Sequence, residues 1–362
     1  MGKLGVSVYP ERSTYEKDAA YLDLAAKYGF KRVFTSLLEI KGDADTVVAS
    51  FKKVIDHANS LGMEVMVDMN PALFEQLGVT YDNQKFFKDL GAWGVRLDLG
   101  FTGAEEARMT RNPYGLKIEV NMSSGTHYID NIMSYSPNRE NLLGSHNFYP
   151  HQFSGLGQAF FDQATAMYTK YNLNTAAFIT SQAATFGPWP TQDGLCTLED
   201  HRHLPIETQV KHYVLLDTIN DVIIGNAYAS EAELKAAHDA WFAEYPVLKV
   251  VPDADISDLE AELLFKNDHS YRGDRSEYLL RSTQTRVTYK DRDFPPHHTE
   301  PIKRGDVLID NEKFGQYKGE TQIALRDMPN DGRVNVVGHL APDELFLLGY
   351  LKPWSGFRMA RA

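Results

Sequence analysis

Five successive short apolar runs of this 362-residue chain end in acidic side chains. Glu11 follows "LGVSVYP", Glu39 closes "RVFTSLLE", Asp68 stands with Asn70 in "EVMVDMNP", Asp98 sits in "GVRLDLGF", and Glu119 stands with Asn121 in "LKIEVNMS". Two carboxylates held in unlike environments around one pocket are the equipment of glycoside hydrolysis. One protonates the leaving oxygen; the other attacks the anomeric carbon, guides water or orients an acetamido group. The pair singled out is Asp98 and Glu119. Strand alternation puts Arg96 with Asp98 on one face and Glu119 with Asn121 on one face, while Val95, Leu97, Ile118 and Val120 point the other way, toward helices. Glu119 has no evident basic neighbour on its own strand, which favours a raised pKa and the role of proton donor. For Asp98 the competing expectation is a structural ion pair with Arg96. On neighbouring strands about 4.8 Å apart, the two carboxyls could approach the roughly 5 Å separation that goes with retention. Glu11 and Glu39 are expected to be helix caps or salt-bridge partners.

Other polar groups gather where later strands stop. The stretch "SHNFYPHQFSGLG" crowds His146, Asn147, Tyr149 and His151 around Pro150, either as a polar loop bonded to backbone and water or as a substrate-facing loop. Ser181 with Gln182 ends the seventh run and Asn226 ends the eighth. "GPWPTQDGLCTLEDHRHLP" carries His201 and Arg202 after the seventh run, where α/β barrels often hold phosphate and where an Arg fork suits an anion. The alternative is pairing of His201 and Arg202 with Glu199 and Asp200. A second basic group, Arg272, Arg275 and Arg281, lies in "YRGDRSEYLLRST". A metal site on Asp68, Glu119 and His146 lacks tight ligand spacing, and neither a metal nor a cofactor is expected. No Gly-x-Ser-x-Gly elbow is present, and Lys117 lies at a strand beginning rather than the strand end a Schiff-base lysine would want.

The elements that must position these groups can be read from periodicity. Eight short runs rich in β-branched and aromatic residues, from "LGVSVYP" to "DVIIGN", alternate with amphipathic segments such as "TVVASFKKVIDHANSLG", "GQAFFDQATAMYTKYN" and "SEAELKAAHDAWFAEYP". That pattern predicts an α/β fold with a TIM (β/α)8 barrel over 1–246, and no Gly-rich fingerprint follows the first strand to suggest a Rossmann fold. After Pro246 the texture changes to strand-like pieces, "DVLID", "ETQIAL", "RVNVVGHL" and "ELFLLGYL", predicting a small β-rich barrel over 247–362. A formal net charge of -12 sets the long-range field against nucleic acid and anionic membranes, so an anionic substrate needs a local basic anchor. The sole cysteine, Cys196, excludes an internal disulfide. No signal peptide and no apolar span of about 20 residues is evident, and a cytosolic protein is expected.

"FTSL", "RLDLGF", "HNFYP", "GPWPTQDGLCTLEDHRHLP" and "IDNEKFGQYKGE" resemble the MupG-type 6-phospho-N-acetylmuramidases, and the likeness runs through "GYLKPWSGF", nearly the whole chain. The resemblance implies a TIM barrel followed by a cyclophilin-like β-domain. It implies cytosolic hydrolysis of MurNAc-6-phosphate–GlcNAc, a phosphorylated amino-sugar disaccharide, in peptidoglycan recycling. A homodimer is left open. Carried over, it favours Asp98 and Glu119 as the working carboxylates and "HNFYP" as a sugar contact, with Phe148 and Tyr149 offering rings and His146 and Asn147 bonding hydroxyl or acetamido groups. Asp68, Asn70, Arg96, Asn121, Asn226 and one of the basic groups would complete the substrate site. One departure is Leu99, where an acid is expected after Asp98; Asp68 then becomes the reserve catalytic candidate. The alternatives are a phosphosugar-binding or regulatory protein without hydrolase activity, and a metal-dependent barrel hydrolase.

Overall fold

The structure is a computed structural model that describes residues 2–37, 44–70, 73–191 and 193–362; Glu39 lies outside the described residues. It divides into two compact units, one of 1–213 with 217–241 and one of 214–216 with 242–362. No helix among the described residues is long and apolar enough to cross a membrane.

The first unit is a closed barrel of eight parallel strands in chain order. They are β1 Lys3–Ser7, β2 Arg32–Leu37, β3 Glu64–Met69, β4 Gly94–Leu97, β5 Lys117–Asn121, β6 Leu142–Ser145, β7 Asn174–Ile179 and β8 Asp221–Ile224. Each is followed by a helix: α1 Tyr15–Lys27, α2 Ala44–Ser60, α3 Lys85–Leu90, α4 Ala104–Met109, α5 Tyr128–Ser134, α6 Gln158–Thr169, α7 Ile206–Leu216 and α8 Glu231–Phe242. The strands read as near-continuous apolar runs because one face meets helices and the other fills the barrel. In α2 the residues at helical spacing, Phe51, Val54, Ile55 and Ala58, are the buried ones, and the chain leaves through Gly62 at φ 69°. Inside the barrel Phe34 and Phe178 meet edge to face, with centroids 5.1 Å apart. Gly5 leaves room for a charge: a Cβ there would sit 2.9 Å from the Cβ of Arg32.

The second unit is a seven-stranded sheet in the order β10-β15-β9-β14-β12-β13-β11. Its strands are β9 Val247–Pro252, β10 His269–Ser270, β11 Leu279–Ser282, β12 Asp306–Asp310, β13 Thr321–Ala324, β14 Val334–Leu340 and β15 Gly356–Arg361. Neighbours are antiparallel except β15 beside β9. The sheet nearly closes, since the Arg272 N–H donates to the Arg281 carbonyl at 2.9 Å next to the two edge strands. "DVLID", "ETQIAL" and "RVNVVGHL" contain β12, β13 and β14, but "ELFLLGYL" forms 3-10 turns over Pro342–Gly349 rather than a strand. Pro342 at the first helical position and the acidic first turn, Asp343 and Glu344, are helix-start signals that outweighed the apolar run.

Candidate active site

The register of β3, β4 and β5 decides where each carboxylate goes. Asp68 pairs with Arg96 and Arg96 with Glu119, so all three project into the barrel. Glu119 is fully buried. Its Oε2 accepts from Arg32 Nη2 at 2.7 Å, and its Oε1 lies 4.0 Å from Arg96 Nε. Arg32 reaches on to Asp221 at 3.0 Å and covers the Trp93 ring at 5.2 Å. This corrects the expectation that Glu119 opens into a pocket without a basic partner. Its partner comes from β2, on another side of the barrel, which the sequence of β5 alone cannot reveal. Asp98, two residues beyond Arg96, lies one interior layer nearer the mouth.

The Asp98 side chain is 37 % exposed and lies 3.5 Å from Arg96 Nη1. The same nitrogen donates to Asp68 Oδ1 at 2.7 Å. Two oxygens within 3.5 Å of one nitrogen are separated by no more than twice that distance, which brackets the roughly 5 Å of a retaining pair. Asp68 is far less open, its side chain 6 % exposed. Burial raises the Asp68 carboxyl to about 6, Asp98 adding to the rise while Arg96 and Ser36 oppose it. Arg96 is itself buried and fixed, donating from Nε to Ser145 Oγ at 2.7 Å and from Nη2 to Asn147 Oδ1. Asn121 Nδ2 donates to the Asp98 carbonyl at 3.4 Å. The mouth therefore brings together Asp68 and Asp98, with Arg96, Asn121 and Asn147 around them. Asn70 is half-buried just past β3.

The "HNFYP" segment splits by strand alternation. Asn147 continues the inward face of Ser145, while His146 turns to the helices. There His146 is fully buried between Ser123 Oγ at 3.1 Å and Thr165 Oγ1 at 2.9 Å, stacked on Phe161. Burial lowers His146 to about 3, so its ring is neutral and structural rather than a sugar contact. Tyr149 is half-buried, and burial raises its phenol despite Ser123 and Arg96 nearby. Phe148 lies edge to face on Phe34 and Phe178, part of the plug beneath the mouth.

Most of the basic residues expected to hold an anion are otherwise engaged. Arg202 is buried, with Nε and Nη2 on Glu199 at 2.7 and 2.6 Å. Its Nη1 donates to the carbonyls of Tyr149 and Asp193 at 2.9 Å, and its Nη2 to that of His151 at 3.3 Å. It is a staple between the loops after β6 and β7, and a phosphate would have to displace those bonds. His201 is fully buried against His212 Nδ1 at 2.8 Å, its pKa pushed well below the usual histidine value by burial. Asn226 exchanges hydrogen bonds with the Ser181 backbone at both 2.8 Å contacts. In the second unit Arg281 is paired with the buried Glu320 at 2.6 Å, and Arg275 is exposed.

A cavity of about 600 Å³ opens at the ends of β1 and β2, lined among others by Tyr9, Arg12, Ser36, Ser50 and Trp189. Ser36 Oγ donates to Asp68 Oδ2 at 3.4 Å, so this cavity abuts the carboxylate pair. Arg12 is exposed, lies over the Phe186 ring at 6.0 Å, and pairs with no carboxylate among the described residues. Sequence reasoning passed over it. The signal was there in "YPERS", where Arg12 stands immediately after the strand-end Glu11.

Known proteins resemble the whole chain. It is similar to a B. cereus protein of known crystal structure and described as uncharacterized, at 47 % identity over 99 % of both chains with a TM-score of 0.91. It is similar also to a conserved protein from a locus in Enterococcus faecalis, at 25 % identity over 99 % of this chain and 96 % of that one, TM-score 0.76. No curated protein matches it. The N-terminal model of 6-phospho-N-acetylmuramidase matches residues 4–239 and the C-terminal model matches 246–360. Both family matches cover nearly the whole chain, and the chain belongs to the 6-phospho-N-acetylmuramidase family of glycosidases.

Proposed function

We propose that this glycosidase cleaves MurNAc-6-phosphate–GlcNAc to MurNAc-6-phosphate and GlcNAc in the cytosol, in peptidoglycan recycling, with Asp68 and Asp98 as its working carboxylates. The observation that carries the assignment is the unequal pair on one guanidinium. Asp68 is enclosed, with its pKa raised to about 6; Asp98 is open, and both lie on Arg96 Nη1. Pairs whose environments separate their proton affinities mark acid and base roles. Asp68 gives its proton to the glycosidic oxygen as the C–O bond breaks, and Asp98 attacks the anomeric carbon. Water then releases the sugar from Asp98, returning a proton to Asp68. The close spacing that a shared nitrogen imposes favours this retaining course.

Arg12 is assigned as the phosphate anchor. It lines the cavity beside Asp68 and is not consumed by a described carboxylate, whereas Arg32, Arg96 and Arg202 are. The near-closed second sheet is consistent with the cyclophilin-like domain that the resemblance implies, beginning at Val247 with β9. The test is a hydrolysis assay on phosphorylated and unphosphorylated MurNAc–GlcNAc. Asp98→Asn and Asp68→Asn should each lower kcat by about 10²–10⁴-fold with substrate still bound. Arg12→Ala should raise KM for the phosphorylated sugar by about ten- to a hundred-fold, the loss of one charge-assisted contact. Equal wild-type rates on both sugars would remove the phosphate assignment, and full activity in Asp98→Asn would remove the mechanism.

A further inference from the structure

We propose that the second unit holds a ligand site of its own, a cavity beside Asp310 and Gln322 that takes one N-acylated amino-acid amide, in extended form and with an apolar side chain. Strand alternation builds it. In β12, Val307 and Ile309 enter the main core of the unit, while Leu308 belongs to a smaller apolar cluster on the other face, with Asp310 two residues further on. In β13, Ile323 enters the main core and Ala324 joins the smaller cluster; Gln322 lies opposite Leu308 in register. The cavity on this second face measures about 310 Å³, at the small end of the roughly 300–1,000 Å³ typical of small-molecule sites. Its walls are apolar, supplied by Leu279, Ile302, Leu308, Phe314 and Met328.

Five polar side chains share that lining, Asn330, Asp331 and Arg333 besides the two buried ones, Asp310 and Gln322. Asp310 is only 2 % exposed; its Oδ2 accepts from Gln322 Nε2 at 3.0 Å, and its buried Oδ1 has no hydrogen-bond partner among the described residues. A buried carboxyl oxygen left without a partner costs stability. Burial pushes Asp310 up to about 8, Glu320 adds to the rise, and Arg281, Arg286 and Arg333 oppose it. Near neutral pH the group is therefore a carboxylic acid whose O–H needs an acceptor. The bond to Oδ2 uses one N–H of Gln322 and leaves its Oε1 as an acceptor. A donor and an acceptor side by side match the C=O and N–H of one extended amino-acid residue, which point to the same side, and the walls match an aliphatic side chain. Arg333 closes the rim, its guanidinium 4.3 Å from the Phe314 ring centroid and paired with Asp331.

The experiment is a titration of N-acetyl-leucine methylamide into the full-length protein, followed by NMR of the Gln322 side-chain amide. Saturable shifts with a dissociation constant of about millimolar strength are expected near neutral pH. Binding should weaken at least about tenfold once the pH stands a unit or more above 8, as the Asp310 O–H is lost. Asp310→Asn replaces the O–H donor with an N–H donor; it should bind within about threefold of wild type and lose the pH dependence. Met328→Trp, which fills the cavity from its half-exposed wall, should abolish the shifts while leaving Asp310 in place. Absence of saturable shifts in the wild type, an unchanged affinity at high pH, or persistence in Met328→Trp would each overturn the proposal.

Discussion

At the scale of single residues, the mechanism turns on which of two carboxyls holds the proton. Both lie on Arg96, but Asp68 is enclosed and Asp98 is not, so the guanidinium offsets burial only partly at Asp68. A proton donor with a pKa of about 6 is in its working form below that value and loses it above. The expected outcome is a kcat/KM that falls as pH rises through about 6. Asp68→Asn should remove that basic limb along with most of the rate. A rate that instead climbs through the same range would make Asp68 the base and exchange the two roles. The same raised pKa acts on stability in a definite direction. The folded state binds this proton more tightly than the unfolded chain, so the stability it lends is present at low pH and lost as pH rises through about 6.

At the scale of elements, strands place the carboxylates and one arginine ties the loops above them. Arg202 holds carbonyls from the loops after β6 and β7 while its fork is fixed by Glu199. Replacing it with lysine keeps the charge but loses the fork. Arg202→Lys should cost about 1–3 kcal/mol of stability and raise KM, with kcat changed little, as read from thermal melts and steady-state kinetics. Arg202 also lowers Glu199 to about 2. A depressed carboxylate contributes above its unfolded pKa and loses that contribution only as pH falls through about 2, so the staple should hold through mild acid. Much of this level was legible in the sequence. Eight apolar runs became the eight barrel strands, and Arg96 with Asp98 faced inward as alternation required. His146 shows where periodicity could have gone further, since one step from inward-facing Ser145 puts it among the helices. Partners that arrive from distant strands were not legible. Nothing in "LKIEVN" announces Arg32, and nothing in "TLEDHRH" separates an anion clamp from a loop staple, because both use an arginine beside an acid.

At the scale of the whole molecule, the barrel interior is threaded by charge from Asp221 through Arg32, Glu119 and Arg96 to Asp68 and Asp98 at the mouth. Two guanidiniums face four carboxyls in that chain, so one proton held at Asp68 eases the excess of negative charge. Glu119 is the link between the sealed end and the working end. Glu119→Gln removes a buried partner of Arg32 and should destabilise the fold by about 3–5 kcal/mol, seen as a shifted denaturant midpoint. Below its melting range the variant should still hydrolyse substrate within about tenfold of wild type, since no proton passes through a group the substrate cannot touch. Its pH profile should move. With the negative charge of Glu119 gone, more of the pull of Arg96 falls on Asp68, and the basic limb should shift to lower pH. A stable Glu119→Gln protein that has lost activity by about a hundredfold or more would return the proton to Glu119 and require the barrel to open around it.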